Sequence, residues 1–288
     1  MLDHYDMSMR DEDLYAELQL RYSSLAVLIV EGPQDATLME RALDDQSCEI
    51  IHAGGSTAVR SVRKKVQASK SSGSWWHNYP IVFLLDADFA NLAVESEKNS
   101  DGSGTVVTEY NDLDAEIFFH FEAVDEYVER AVKRSDAQRM HLESGGRSVM
   151  SITVDLYVNL LHELEELESG RFVPLGNGKS TFEWIDHSSL IIKDLSLRQA
   201  RPSHSIDILD YGSAQLPPIY RMNGHHLFTL ANRVMQVWLP TKGVKDLTSR
   251  ARELFSGREI SNLPSVRRVV QEFHKQGVWV ARHGDKVA

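Results

Sequence analysis

The chain has 288 residues, enough for one large domain or two ordinary ones, and its 42% hydrophobic and 25% charged residues fit a water-soluble globular protein rather than a disordered or membrane-embedded one. A formal net charge of -11 argues against a general polyanion binder, because non-specific nucleic-acid affinity comes largely from Lys and Arg neutralising phosphates. Any nucleic-acid contact must be local, metal-assisted or shared with a partner. The single cysteine, Cys48, excludes an intrachain disulfide and reads as a small buried hydrophobe.

The opening residues, Met1-Leu2-Asp3-His4-Tyr5-Asp6, lack the basic-then-apolar pattern of a secretory leader, so a cytoplasmic protein is expected. No apolar run approaches the roughly 20 residues of a bilayer-spanning helix, which predicts no membrane contact. Leu14, Tyr15, Leu18 and Leu20 among charged residues predict an amphipathic lead-in helix over 11–22. An apolar run then predicts a buried strand over 25–30, followed by a Gly32-Pro33 turn, a helix over 35–43 and a strand over 48–52. Gly54-Gly55 makes a turn, Ser56 or Thr57 caps a helix to about 69, and Ile81-Val82-Phe83-Leu84-Leu85 is a third strand.

The polar stretch over 91–104 reads as a mobile loop before a short strand over 105–108. Ile117, Phe118, Phe121, Val124, Tyr127, Val128 and Ala131 then predict a helix or helix pair. A long helix over 152–167, a turn at Gly176-Asn177-Gly178 and helices over 225–237, 245–255 and 265–275 complete the chain. Strands alternating with helices give an α/β fold, a parallel sheet flanked by helices and followed by a mainly helical C-terminal region. The expected parts are a lead-in over 1–23, an α/β domain over 24–120 and a helical domain over 121–288.

Acids gather at the C-terminal ends of the predicted strands: Glu31 after the first, Asp86 and Asp88 after the third, and Glu109, Asp112, Asp114 and Glu116 after the fourth. In open α/β sheets that edge is where ligands bind. Clustered carboxylates repel unless a proton or cation intervenes, and hard oxygen donors without His or Cys favour Mg²⁺ or Mn²⁺ over zinc. Such an ion could stabilise the charge that builds on a scissile phosphate.

Val30-Glu31-Gly32-Pro33-Gln34-Asp35 followed by Leu84-Leu85-Asp86-Ala87-Asp88 resembles the Glu-then-Asp-x-Asp signature of TOPRIM domains. The resemblance implies a TOPRIM-like sheet, with Glu31 as acid/base residue or metal ligand and Asp86 and Asp88 holding the metal. Asp35 occupies the place where OLD-like nucleases often carry a second acid, one helical turn beyond Glu31 and near enough to share an ion. The glycine after Glu31 is expected to let the chain turn tightly from strand to helix. Within TOPRIM proteins, Asn111-Asp112-Leu113-Asp114-Ala115-Glu116 and Asn223-Gly224-His225-His226-Leu227 resemble segments of a small standalone family that includes the effector subunit of PARIS antiviral systems. That resemblance implies a cytoplasmic defence toxin controlled by an ABC-type ATPase, cleaving RNA such as tRNA in preference to DNA, with Glu116 as a further metal ligand. Small nucleases of this type commonly pair sites in homodimers, and the helical half is where pairing is expected.

Other features carry competing readings. Arg60, Arg63, Lys64 and Lys65 could position a phosphate backbone or form a solvated helix face, as could Arg250, Arg252, Arg258, Arg267 and Arg268. Trp75 and Trp76 could stack on bases or cover the sheet edge. The Gly54-Gly55-Ser56 loop could cradle a phosphate at a helix start or be a simple βα turn. Gly178-Lys179-Ser180 imitates a phosphate-binding loop but has Val173 at the earlier glycine position. His225 and His226 could assist catalysis or merely cap a helix. A haloacid-dehalogenase-like phosphotransferase, with Asp86 as nucleophile and Asp88 as acid/base, usually has Thr or Val where this chain has Ala90. The remaining alternative is a catalytically silent TOPRIM interaction module docking an ATPase.

Overall fold

The computed structural model describes residues 11–20, 25–71, 79–87, 104–167, 222–238 and 246–282. Asp88, the Trp75-Trp76 pair, residues 91–103 of the polar loop, the Gly176-Asn177-Gly178 turn and Gly178-Lys179-Ser180 lie outside the described residues. In chain order the first elements are α1 (Asp11–Leu20), β1 (Ala26–Val30), α2 (Pro33–Ala42), β2 (Cys48–His52), α3 (Ser56–Ser71), β3 (Ile81–Leu85) and β4 (Thr105–Val107). Then come α4 (Leu113–His120), α5 (Ala123–Ala131), α6 (Arg134–Glu143), α7 (Val149–Leu167) and α8 (Gly224–Trp238). The last are α9 (Leu247–Leu254), α10 (Gly257–Ile260) and α11 (Pro264–Lys275). None of the described helices is long and apolar enough to cross a membrane.

The fold is α/β: a four-stranded parallel sheet in the order β2-β1-β3-β4, with helices around it and a mainly helical region after it. Val27, Ile29, Ile81, Phe83 and Leu85 form one core with Leu14 and Leu18 of α1 and Val59, Val62 and Val66 of α3. The alternating residues Ala26, Leu28, Val30, Val82 and Leu84 are buried as well. A parallel sheet covered on both faces needs such uninterrupted apolar strands, which is why β1 and β3 carry no polar residue. Each buried aliphatic or aromatic side chain contributes about 1.5–3 kcal/mol towards offsetting chain entropy. From β1 the chain steps to β2 on one side, then returns past β1 to β3 on the other. Right-handed crossovers therefore put α2 and α3 on opposite faces.

The chain divides into two compact units, and the division differs from the expected boundary near 120. The sheet unit comprises Met1–Asp86, Glu95–Thr108 and Phe255–Ala288; the helical unit comprises Ala87–Val94 and Glu109–Leu254. The lead-in helix α1 belongs to the sheet unit and packs on α3. The tail does so too, because α11 packs on β3 and β4, the Asp44 amide donates to the Val280 carbonyl at 2.8 Å, and Leu43 bridges Ala281. Gln276 brackets Ile81, its Oε1 accepting the Ile81 amide at 3.2 Å and its Nε2 donating to the Ile81 carbonyl at 3.3 Å.

In the helical unit α8 packs against α4, α6, α7 and α9, burying Leu227, Phe228, Leu230, Ala231, Val234 and Met235. Phe118 of α4 meets Phe228 edge to face with ring centroids 5.3 Å apart.

Candidate metal and catalytic site

Glu31 follows β1 and Asp86 follows β3, two neighbouring parallel strands with Ile29 opposite Phe83. Their C-terminal ends therefore lie side by side. Because β2 flanks β1 and β4 flanks β3 on the far side, the strand order reverses between these two strands. That reversal opens the crevice in which α/β sheets bind ligands. Glu31 and Asp86 are both half-buried, standing on strand ends (Val30 and Leu85) that are fully buried. Glu31 Oε1 accepts the Asp86 main-chain amide at 3.0 Å, so the glutamate reaches across to the aspartate's own peptide.

The Glu31 backbone is held from the other side. Its carbonyl accepts the Gly54 amide at 3.1 Å and the Gly55 amide at 2.9 Å, while the Ala53 amide donates to Val30 at 2.9 Å. Two amides of the glycine loop are thereby engaged with protein, which favours the βα-turn reading over a phosphate cradle.

Asp35 sits at the third position of α2, which begins at Pro33 because proline needs no amide donor there. The Asp35 Oδ2 turns back to accept the Gly32 amide at 3.1 Å, so this acid caps its own helix at the β1 end. Gly32 itself is extended, with φ -127° and ψ 164°. The expected tight turn is not what calls for glycine; a Cβ there would come within 3.3 Å of the Asp35 carboxylate.

Glu116 belongs to the helical unit and is fully buried, its Oε1 accepting the Glu109 amide at 2.6 Å. It fastens the turn after β4 to α4. Its neighbours are likewise engaged: Asp114 pairs with Arg252 at 2.7 Å, and Asp112 caps α4 through the Ala115 amide at 2.7 Å. Asp112 also accepts the Asn111 and Asn223 side-chain amides at 3.0 and 2.9 Å and the Gly224 amide. Burial and the nearby Asp114 push its carboxyl up to about 6, against the pull of these donors. Composition alone sets Asp112 among several acids and does not single it out. An Asp directly before an apolar helical run is the cap signal that could have done so.

Arg63 departs from its expected place among phosphate-contacting residues. It is 5% exposed, and its Nη1 lies 3.5 Å from Thr105 Oγ1 on β4. The helical spacing that aligns Arg60 with Lys64 turns Arg63 towards the sheet. Lys64 is exposed, and Lys65 lies 5.9 Å over the Tyr15 ring. The second basic set is divided: Arg250 and Arg252 lie in the helical unit, and Arg258, Arg267 and Arg268 in the sheet unit.

His225 is exposed at the start of α8. His226 packs inward, its amide capped by Asn223 Oδ1 at 3.1 Å and its Nδ1 3.5 Å from the Tyr157 hydroxyl. Burial, reinforced by His225, pushes the His226 ring down to about 4, so it is neutral near pH 7.

Among the described residues no three His, Cys, Asp or Glu side chains group as a metal site, and Asp88, which the signature needs, lies outside them. The donors that are brought together, Glu31 and Asp86, are oxygen ligands of the kind that hold Mg²⁺, an ion that keeps several waters and takes one or two carboxylates from protein. No protein-family model matches this chain, and no curated protein matches it in sequence.

Proposed function

We propose that this chain is a metal-dependent nuclease of the TOPRIM type, in which Glu31 and Asp86, with Asp88, hold Mg²⁺ or Mn²⁺ and hydrolyse a phosphodiester. The observation that carries this reading is the contact of Glu31 Oε1 with the Asp86 amide at the reversal point of the sheet. It joins two acids of the signature that stand 55 positions apart in the sequence. Bound there, the ion would offset the charge that develops on the scissile phosphate. Glu31 is suited to take a proton from the attacking water, since its carboxylate is aimed by a fixed peptide rather than by a solvated side chain. Asp35 supports the first turn of α2 beside Glu31, and the basic residues Arg60, Lys64 and Lys65 of α3 would meet the phosphate backbone.

The resemblance to the PARIS effector family supports RNA over DNA as substrate, an ABC-type ATPase as controlling partner, a homodimer as working form and a role as antiviral toxin. A silent interaction module is the second reading. It is favoured by one observation, that Asp35 and Glu116 already serve as a helix cap and a turn clasp. Incubating the purified chain with end-labelled RNA and DNA in Mg²⁺ or Mn²⁺ separates the two. The nuclease reading expects cleavage that disappears with chelator and in Glu31→Gln, whereas intact substrate under every condition favours the module.

A further inference from the structure

The turn that ends β2 is built to hold one peptide. Gly54 has φ 83° and Gly55 φ 135°, and their consecutive amides converge on the Glu31 carbonyl oxygen at 3.1 and 2.9 Å. A carbonyl offers two lone pairs, so both are engaged. Successive amides pointing into one concavity form the nest that ordinarily binds an anion; here it is filled by the backbone oxygen of the putting-forward residue of the site, Glu31. The Gly55 carbonyl then accepts the Val59 amide at 3.2 Å, opening α3, whose Val59, Val62 and Val66 are buried against the sheet. Glu31 is therefore tied through its backbone to a packed helix and through its side chain to Asp86. A φ near 135° belongs essentially to glycine. A Cβ added at Gly55 would nevertheless meet nothing within 4 Å, so a side chain there would strain the turn without striking a neighbour.

We propose that the Gly54-Gly55 turn is a positioning element for the Glu31 carboxylate, fixing the peptide from which that carboxylate is aimed at the ion. The inference rests on the nuclease reading. Supporting groups of this kind typically govern metal affinity by about 10–100-fold, because a ligand displaced by about 1 Å no longer matches the ion's geometry.

The test uses Mn²⁺ alone as probe, with free Mn²⁺ counted by electron paramagnetic resonance, on the full chain and on Glu31→Gln, Gly55→Ala and Gly277→Ala. Gly277 has φ 81° in the turn after α11, and a Cβ there also meets nothing within 4 Å, so Gly277→Ala strains a second positive-φ turn elsewhere in the sheet unit. The expected result is Mn²⁺ binding that Glu31→Gln removes, that Gly55→Ala weakens by about 10–100-fold, and that Gly277→Ala leaves unchanged although both glycine variants unfold at lower denaturant. Glu31-dependent binding that survives in Gly55→Ala at full strength overturns the positioning role and leaves the nuclease reading standing. Absence of binding in the unaltered chain, or binding indifferent to Glu31, overturns both. Should Gly55→Ala fail to fold, amide exchange decides on the unaltered chain. The Gly54 and Gly55 amides are expected to exchange about tenfold more slowly with Mg²⁺ present, but not in Glu31→Gln, and no slowing overturns the inference.

Discussion

The Asp112 carboxylate receives the Gly224 main-chain amide at both oxygens, 3.1 and 3.0 Å away, across 112 residues of chain. With the Ala115 amide on the same side chain, one acid closes the N-termini of α4 and α8, where helix dipoles favour negative charge. Gly224 makes this possible: a Cβ there would lie 2.2 Å from the Ala115 nitrogen and 2.4 Å from the Asp114 carbonyl carbon, both backbone atoms that cannot turn aside. Gly224→Ala is expected to force the helices apart at a cost of about 3 kcal/mol. Asp112→Ala, which strands several donors, should cost about 2–4 kcal/mol. Urea unfolding measures both, and values within about 0.5 kcal/mol of the parent would contradict the account.

Two partly buried groups of the helical unit give stability opposite dependences on pH. The Asp112 carboxyl is raised from 3.8 to about 6, so its contribution is fully present below 3.8 and is lost as pH rises to about 6. His226 is lowered from 6.5 to about 4, so its contribution is present above 6.5 and is lost as pH falls to about 4. The two oppose each other over much of the same window. Asp112→Asn should therefore grow more stable with rising pH between 4 and 6.5, and His226→Gln less stable, when melting temperature is followed against pH. Parallel profiles for the two variants would rule this out.

Much of the sheet was legible in the sequence because buried parallel strands are apolar throughout. β3 falls where its apolar run falls, the edge strand β2 falls over its expected 48–52 although Glu49 and His52 interrupt its apolar residues, and α2 differs at its start because Pro33 takes the first helical position. The helix α6 was not expected: its sequence RSDAQRMHLE buries only Met140 and shows no apolar face. Return of residues 255–282 to the sheet was not legible either, since it depends on long-range contacts such as Gln276 with Ile81. Of the candidate site, the meeting of Glu31 and Asp86 follows from strand order, which alternating strands and helices suggest. The burial of Arg63 and the capping role of Asp35 depend on side-chain direction, which residue type alone does not give.

Arg252 and Asp114 form an ion pair at 2.7 Å with side chains only 12% and 11% exposed. Removing one partner strands a buried charge, so Arg252→Ala should cost about 3–5 kcal/mol. The double change Arg252→Met with Asp114→Leu should recover most of that loss, because both desolvation penalties vanish together. Thermal unfolding of the three variants checks the order; a double variant less stable than Arg252→Ala would be incompatible with it.

Gln276→Leu tests the attachment of the tail. It deprives Ile81 of side-chain partners for its amide and carbonyl at the start of β3, at an expected cost of about 1–3 kcal/mol. Faster hydrogen exchange at the Ile81 amide should accompany the loss, and unchanged exchange would show that α11 is held to the sheet by packing alone.

The central claim is that Glu31 and Asp86 serve phosphodiester hydrolysis. The most direct test is to induce the chain, Glu31→Ala and Asp86→Ala in cells, with and without an ABC-type ATPase encoded beside it, and to sequence the ends of total RNA and DNA. The account predicts new RNA ends that require both acids; no new ends in any condition, or the same ends with Glu31→Ala, would contradict it.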